Sequence, residues 1–146
     1  MNAENQIILV IDDDSAFLAV IQRLLKSAGF EVLVAVDPIE GVRLFEERWP
    51  EINLVLLDFL MPMMRGDEVL ERLQCLRPEV RAVMMSSCDR ETVSSALEQS
   101  FRGYIQKPCT RQELLERASE AIRSGAGPSQ TTGTVAQDAP PSASSR

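Results

Sequence analysis

The sequence predicts an α/β fold built on a parallel sheet, and three observations predict it. Four short, mainly apolar runs stand along the chain: IILVI at 7–11, LVLL at 54–57, AVMM at 82–85 and GYIQ at 103–106. They are continuous rather than alternating, as parallel strands buried on both faces are. Between them lie stretches with helical apolar spacing and helix-capping residues. Each run also gives way at once to a polar or charged residue: Asp12-Asp13, Asp58, Ser86 and Lys107. An open α/β sheet places its site in the crevice beyond the carboxyl ends of its strands, so one sheet gathers all five residues at one edge.

The elements follow in order. After the 7–11 strand, Phe17, Ile21, Leu24, Leu25 and Ala28 make one apolar stripe along a helix from Ser15 to Ala28, and Gly29 sits where a left-handed C-terminal residue is wanted. Asp37-Pro38-Ile39-Glu40 reads as N-cap, first-turn proline and capping-box glutamate, opening a helix that carries Val42 and Phe45 inward. Helices near 67–76 and 90–100 follow the next two strands, and Pro78 ends the first of them. Thr110-Arg111-Gln112-Glu113 repeats the capping device before the last helix, whose apolar face is Leu114, Leu115, Ala118 and Ile122. Strand then helix, five times over, gives a parallel sheet with right-handed crossovers. After Arg123 the composition becomes small, polar and proline-rich, so the domain is expected over 7–123, with 1–6 an N-terminal extension and 124–146 a disordered tail or linker. No output domain is expected in that tail, which leaves a stand-alone unit or a segment of a larger regulator.

Composition narrows the function. The 146 residues, 45% apolar, suffice for one core. A formal charge of −7 argues against direct nucleic-acid binding, which needs clustered Lys and Arg. Cys75, Cys88 and Cys109 are an odd number without paired spacing and read as reduced thiols of a cytoplasmic protein, inert small residues rather than a disulfide frame. The N-terminus lacks a signal-peptide core, and no apolar run reaches the roughly 18 residues of a membrane span.

Three carboxylates gathered at one edge repel one another, and a raised pKa or a bound cation is the usual outcome. The sequence has no His, so the available ligands are hard oxygens, which suit Mg²⁺ rather than zinc. Lys107 then offers a fixed positive charge and Ser86 a hydroxyl donor to the oxygens of an incoming phosphoryl group. A carboxylate can itself accept that group, and Asp58, alone after its strand while Asp12 and Asp13 form the metal pair, is the candidate.

These segments, ILVIDDD at 8–14, LVLLDFLMPMMRG at 54–66, AVMMSS at 82–87 and GYIQKP at 103–108, resemble the receiver domain of two-component response regulators in order and spacing. The resemblance implies a flavodoxin-like, doubly wound (βα)5 fold with strand order 2-1-3-4-5. It implies Asp58 as phosphoacceptor, Asp13 as a direct Mg²⁺ ligand, Asp12 as a ligand through water and the backbone carbonyl of Leu60 as a further ligand. It also implies Ser86 and Lys107 as partners of the phosphoryl group and Tyr104 as an aromatic switch. A histidine kinase or histidine phosphotransfer protein is the implied donor, and a downstream protein the implied target. A homodimer is left open. Leu60 and Cys88 depart from a family pattern that is often polar at these places, which bears on the lifetime of the phosphorylated state.

Each residue has a plainer reading too. Asp12-Asp13-Asp14 before Ser15 suits a capped helix N-terminus. Asp58, ahead of Pro62 and Gly66, suits an ordinary turn, and Lys107 before Pro108 a solvated loop lysine. Tyr104 suits half-buried strand packing. Their joint placement after strand-like runs favours the phosphorylation-controlled signalling switch, which catalyses only its own phosphorylation and dephosphorylation. The alternatives are a Mg²⁺-dependent aspartyl-phosphate phosphatase, disfavoured because Leu60 stands where such enzymes commonly place a second Asp, and a degenerate protein-binding module.

Overall fold

The computed structural model describes residues 5–93 and 101–123. The elements run β1 (Ile7–Ile11), α1 (Ser15–Ser27), β2 (Glu31–Ala35), α2 (Pro38–Arg48), β3 (Ile52–Asp58), α3 (Gly66–Leu76), β4 (Ala82–Ser86), β5 (Gly103–Gln106) and α4 (Arg111–Arg123). The five strands pair in parallel in the order β2-β1-β3-β4-β5. Residues 94–100, which carry most of the helix expected near 90–100, lie outside the described residues, as does the tail from 124; Arg90–Val93 form a turn.

The continuous apolar character of the strands has its cause in two cores. On one face, Ile8, Val10, Leu54, Leu56, Val83, Met85 and Ile105 pack against Leu18, Ile21 and Leu25 of α1 and Leu114, Ala118 and Ile122 of α4. On the other, Ile7, Leu9, Ile11, Val55, Leu57 and Ala82 pack against Phe45 of α2 and Val69, Leu70 and Leu73 of α3. Successive strand residues point to opposite faces, so a strand covered on both sides must be apolar at nearly every position. The sheet is therefore doubly wound, as expected.

Helix boundaries follow their caps. The carboxylate of Asp14 accepts the N–H groups of Ala16 and Phe17, both at 3.1 Å, and starts α1. Gly29, with φ 102°, takes the left-handed conformation just past its end. Thr110 and Glu113 form the full reciprocal capping box, at 2.9 and 3.0 Å. One expectation is extended and one corrected. All five residues of the α1 stripe pack against the core, Ile21 and Leu25 buried and Phe17, Leu24 and Ala28 partly covered, and Leu18 joins the buried set. At α2, Asp37 accepts the N–H of Glu40 at 2.8 Å, but the Glu40 carboxylate grips Arg43 at 2.6 and 3.1 Å instead of closing the box. An exposed Arg three residues on offers a full charge, a stronger partner than one backbone N–H. Among the described residues, no helix is long and apolar enough to cross a membrane.

Candidate functional site

Register alone brings the acidic residues together. Ile11 pairs with Leu57, so the next residues along, Asp12 and Asp58, emerge side by side at the carboxyl edge of the two central strands. Asp58 is itself the last residue of β3 and lies opposite Met85 of β4. Across the next pair, Ser86 lies opposite Gln106, which delivers Lys107 to the same edge; the Lys107 N–H donates to the Ser86 carbonyl at 2.8 Å.

The three consecutive aspartates have three different tasks. Asp12 is fully buried, its N–H bound to the carbonyl of Ala35 at 3.1 Å and its Oδ1 accepting the N–H of Asp14 at 2.9 Å. Asp13 points to solvent, and Asp14 caps α1. The plainer reading of the triplet thus holds for Asp14. Oxygens of Asp12, Asp13 and Asp58 lie within 4.8 Å of one another. Asp58 is 4% exposed, and burial first, then the neighbouring Asp12 charge, pushes its carboxyl up to about 7 against the pull of Lys107.

Lys107 closes the cluster. Its Nζ lies 2.6 Å from Asp12 Oδ2 and 3.4 Å from Asp58 Oδ1. Burial opposes its charge, but the two carboxylates outweigh that and hold its pKa above the ordinary lysine value. The Lys107–Pro108 peptide bond is cis. The ammonium also lies over the ring of Phe17, 4.5 Å from its centre.

Ser86 is 1% exposed, and its Oγ accepts the N–H of Cys88 at 3.0 Å. Tyr104 is buried with Met84 and Val93, and its hydroxyl donates to the Ser86 carbonyl across 3.5 Å. Burial raises its pKa above the usual tyrosine value. Leu60 sits two residues past Asp58 in the β3–α3 loop with its side chain half exposed. That loop returns to the strand end at Gly66, whose N–H donates to the Phe59 carbonyl at 2.8 Å and whose Cβ, if present, would stand 2.7 Å from the Asp58 carbonyl oxygen. The structure thus brings Asp12, Asp13, Asp58 and Lys107 into one cluster and sets Ser86 and Tyr104 in the adjoining strands. Sequence reasoning missed Gly66 as a support of Asp58 and, while placing Phe17 on the stripe that packs against the core, missed its contact with Lys107. A glycine within a PMMRG turn was the signal for the first; nothing local signalled the second.

Among the described residues, the edge offers the strand-end carboxylate of Asp58, two further carboxylates of which one is open to solvent, and the Lys107 ammonium. All donors to a cation are oxygens, a hard set that fits Mg²⁺ better than zinc.

Residues 8–119 match the family model of the response regulator receiver domain. The chemotaxis protein CheY of Treponema pallidum is 33% identical over 118 residues, 80% of this chain and 82% of that protein. The transcriptional regulatory protein PrrA of Mycobacterium tuberculosis is 35% identical over 80% of this chain, which spans about half (49%) of that protein's length. Among solved structures, a CheY-like receiver domain protein from Methanospirillum hungatei superimposes with a TM-score of 0.74 at 32% identity, covering 82% of this chain and 94% of that one. The CheX-CheY-BeF3-Mg complex of Borrelia burgdorferi matches with a TM-score of 0.75 at 26% identity, over 80% and 89% of the two chains. Fold, acidic edge and sequence agree: this chain belongs to the receiver domain family of response regulators, the signalling domains of two-component systems.

Proposed function

We propose that Asp58 accepts a phosphoryl group from a phosphohistidine on a partner protein and that the chain signals through the conformational change that follows. The observation that carries this reading is the Lys107 ammonium set between buried Asp12 and Asp58, with Asp13 adding a third carboxylate within reach. In the transfer, a carboxylate oxygen of Asp58 attacks phosphorus, the P–N bond to the donor imidazole breaks, and the imidazole leaves with the bonding pair and takes up a proton. The 146 residues hold no His, so the donor lies outside them. Mg²⁺, held by Asp12, Asp13, Asp58 and the Leu60 carbonyl, would neutralise the charge that builds on the phosphoryl oxygens. Lys107 pairs with that charge from the other side. The Ser86 hydroxyl, free to turn from the Cys88 N–H, hydrogen-bonds a phosphoryl oxygen.

The switch reading rests on Tyr104. Its hydroxyl already touches the Ser86 backbone, so a movement of Ser86 toward Asp58 changes the support of the tyrosine ring and with it the surface of β5 and α4. That surface is the proposed readout for a downstream protein or a second copy of the chain, in the cytoplasm, with 7–123 as the signalling unit and 124–146 as tail or linker. Incubation with Mg²⁺ and a small acyl phosphate tests the reading: one phosphoryl mass is expected, removable by hydroxylamine, and uptake without divalent cation or undiminished uptake by Asp58→Asn overturns it.

A further inference from the structure

The geometry points to Phe17 as a positioning residue for Lys107: its ring holds the ammonium over the acidic edge. This rests on the phosphoryl-transfer reading of the same site and concerns how its one cation is kept in place.

The ring stands at the margin of the core and reaches the site as well. On α1, Leu18, Ile21 and Leu25 fill the buried positions, whereas Phe17 is only partly covered and lies at the end of the helix nearest Asp12. Its backbone is fixed, because its N–H donates to the Asp14 carboxylate at 3.1 Å. The face of the ring is 4.5 Å from Lys107 Nζ, within the distance at which a cation is attracted by an aromatic quadrupole.

That contact supplies what the carboxylates cannot. A lysine ammonium is a compact, strongly hydrated charge on a flexible stem, and nothing in a carboxylate pair stops it from tilting out toward water. It lies nearer Asp12, at 2.6 Å, than Asp58, at 3.4 Å, and a phosphoryl group on Asp58 would draw it across toward the new oxygens. An aromatic face attracts the charge without demanding a fixed hydrogen-bond direction, so the ammonium slides between anionic partners while water is kept from that side. A leucine at the same place would exclude water but offer no such face.

The test compares Phe17→Leu and Phe17→Tyr. By NMR, the methylene protons beside Lys107 Nζ are expected upfield of ordinary lysine values through the ring current, in wild type and Phe17→Tyr but not in Phe17→Leu. This arm needs no phosphoryl transfer, so it can fail or succeed independently of the parent reading; ordinary wild-type shifts overturn the proposal. In the kinetic arm, with saturating Mg²⁺ and a small acyl phosphate, Phe17→Leu should slow uptake about three- to tenfold while Phe17→Tyr stays within about twofold. In a Lys107→Met background, Phe17→Leu should have no further effect, because the ring then has no cation to hold. Equal rates for wild type and Phe17→Leu, or the same slowing with and without Lys107, overturn it.

Discussion

The ammonium of Lys107 stands 2.6 Å from a carboxylate oxygen of Asp12, a residue wholly shut from solvent. Asp12 therefore depends on one lysine for its counter-charge until a cation arrives, and removing that lysine leaves a buried anion uncompensated. Lys107→Met should destabilise the metal-free protein by about 1–3 kcal/mol, less than a fully enclosed pair because the lysine side chain keeps 17% exposure. Saturating Mg²⁺ should offset most or all of this, because binding only the folded state is worth about 2–3 kcal/mol at roughly a hundredfold excess over Kd. Urea titrations of both proteins, with and without Mg²⁺, check both signs.

The buried Asp58 carboxyl contributes a pH dependence to folding in the absence of a divalent cation. Its carboxyl is raised from 3.8 to about 7, burial being the first cause. Between those values the folded chain holds a proton that the unfolded chain has released, so stability falls as pH rises from about 4 to about 7. Asp58→Asn removes the charge and should stabilise the metal-free protein at pH 8 by on the order of 2 kcal/mol, with the gain gone below about pH 4. Thermal melts in chelator at the two pH values decide it, and a gain independent of pH would be inconsistent with the assigned cause.

Gly66 should tolerate no side chain. An added Cβ would stand 2.7 Å from the Asp58 carbonyl oxygen and 2.9 Å from the Phe59 Cα, backbone atoms that cannot swing aside. Gly66→Ala should cost about 2–3 kcal/mol and shift Asp58, lowering phosphoryl uptake. Gly103→Ala is the control: its Cβ would make only an ordinary 3.8 Å contact with Val83, so stability should change by less than about 0.5 kcal/mol.

Ser86→Ala should separate chemistry from switching. The acceptor and acidic cluster remain, so the variant should still take up phosphate, but the Tyr104 and β5 amide signals should shift less on phosphorylation than in wild type. Tyr104→Ala should likewise accept phosphate. Amide spectra before and after acyl phosphate measure this, and full wild-type shifts in Ser86→Ala would break the proposed coupling.

The parts legible in the sequence are those whose cause is local or repeats with a fixed period. β1, β4 and the LVLL run of β3 announce themselves because burial on both faces keeps them apolar almost throughout, and the capping pairs Asp37/Pro38 and Thr110/Glu113 act within one turn. β2 carries no such mark, because it is an edge strand whose first residue, Glu31, faces solvent. The acidic cluster was legible because strand ends in one parallel sheet share an edge. Phe17 was not, since Leu18 beside it fits the same apolar stripe and only the placement of Lys107, ninety residues on, tells them apart. Gly66 needed the return path of its loop, which depends on contacts with Asp58 rather than on turn propensity.

The central claim is that phosphoryl transfer ends on Asp58 and on no other carboxylate of the edge. An acyl phosphate on an aspartate is reduced by borohydride to homoserine, which marks the position permanently. After incubation with Mg²⁺ and acetyl phosphate, reduction and peptide mapping should place homoserine at position 58 and leave Asp12, Asp13 and Asp14 intact. Homoserine at any of those three positions, or none at position 58 in a sample that had gained a phosphoryl group, would contradict the account.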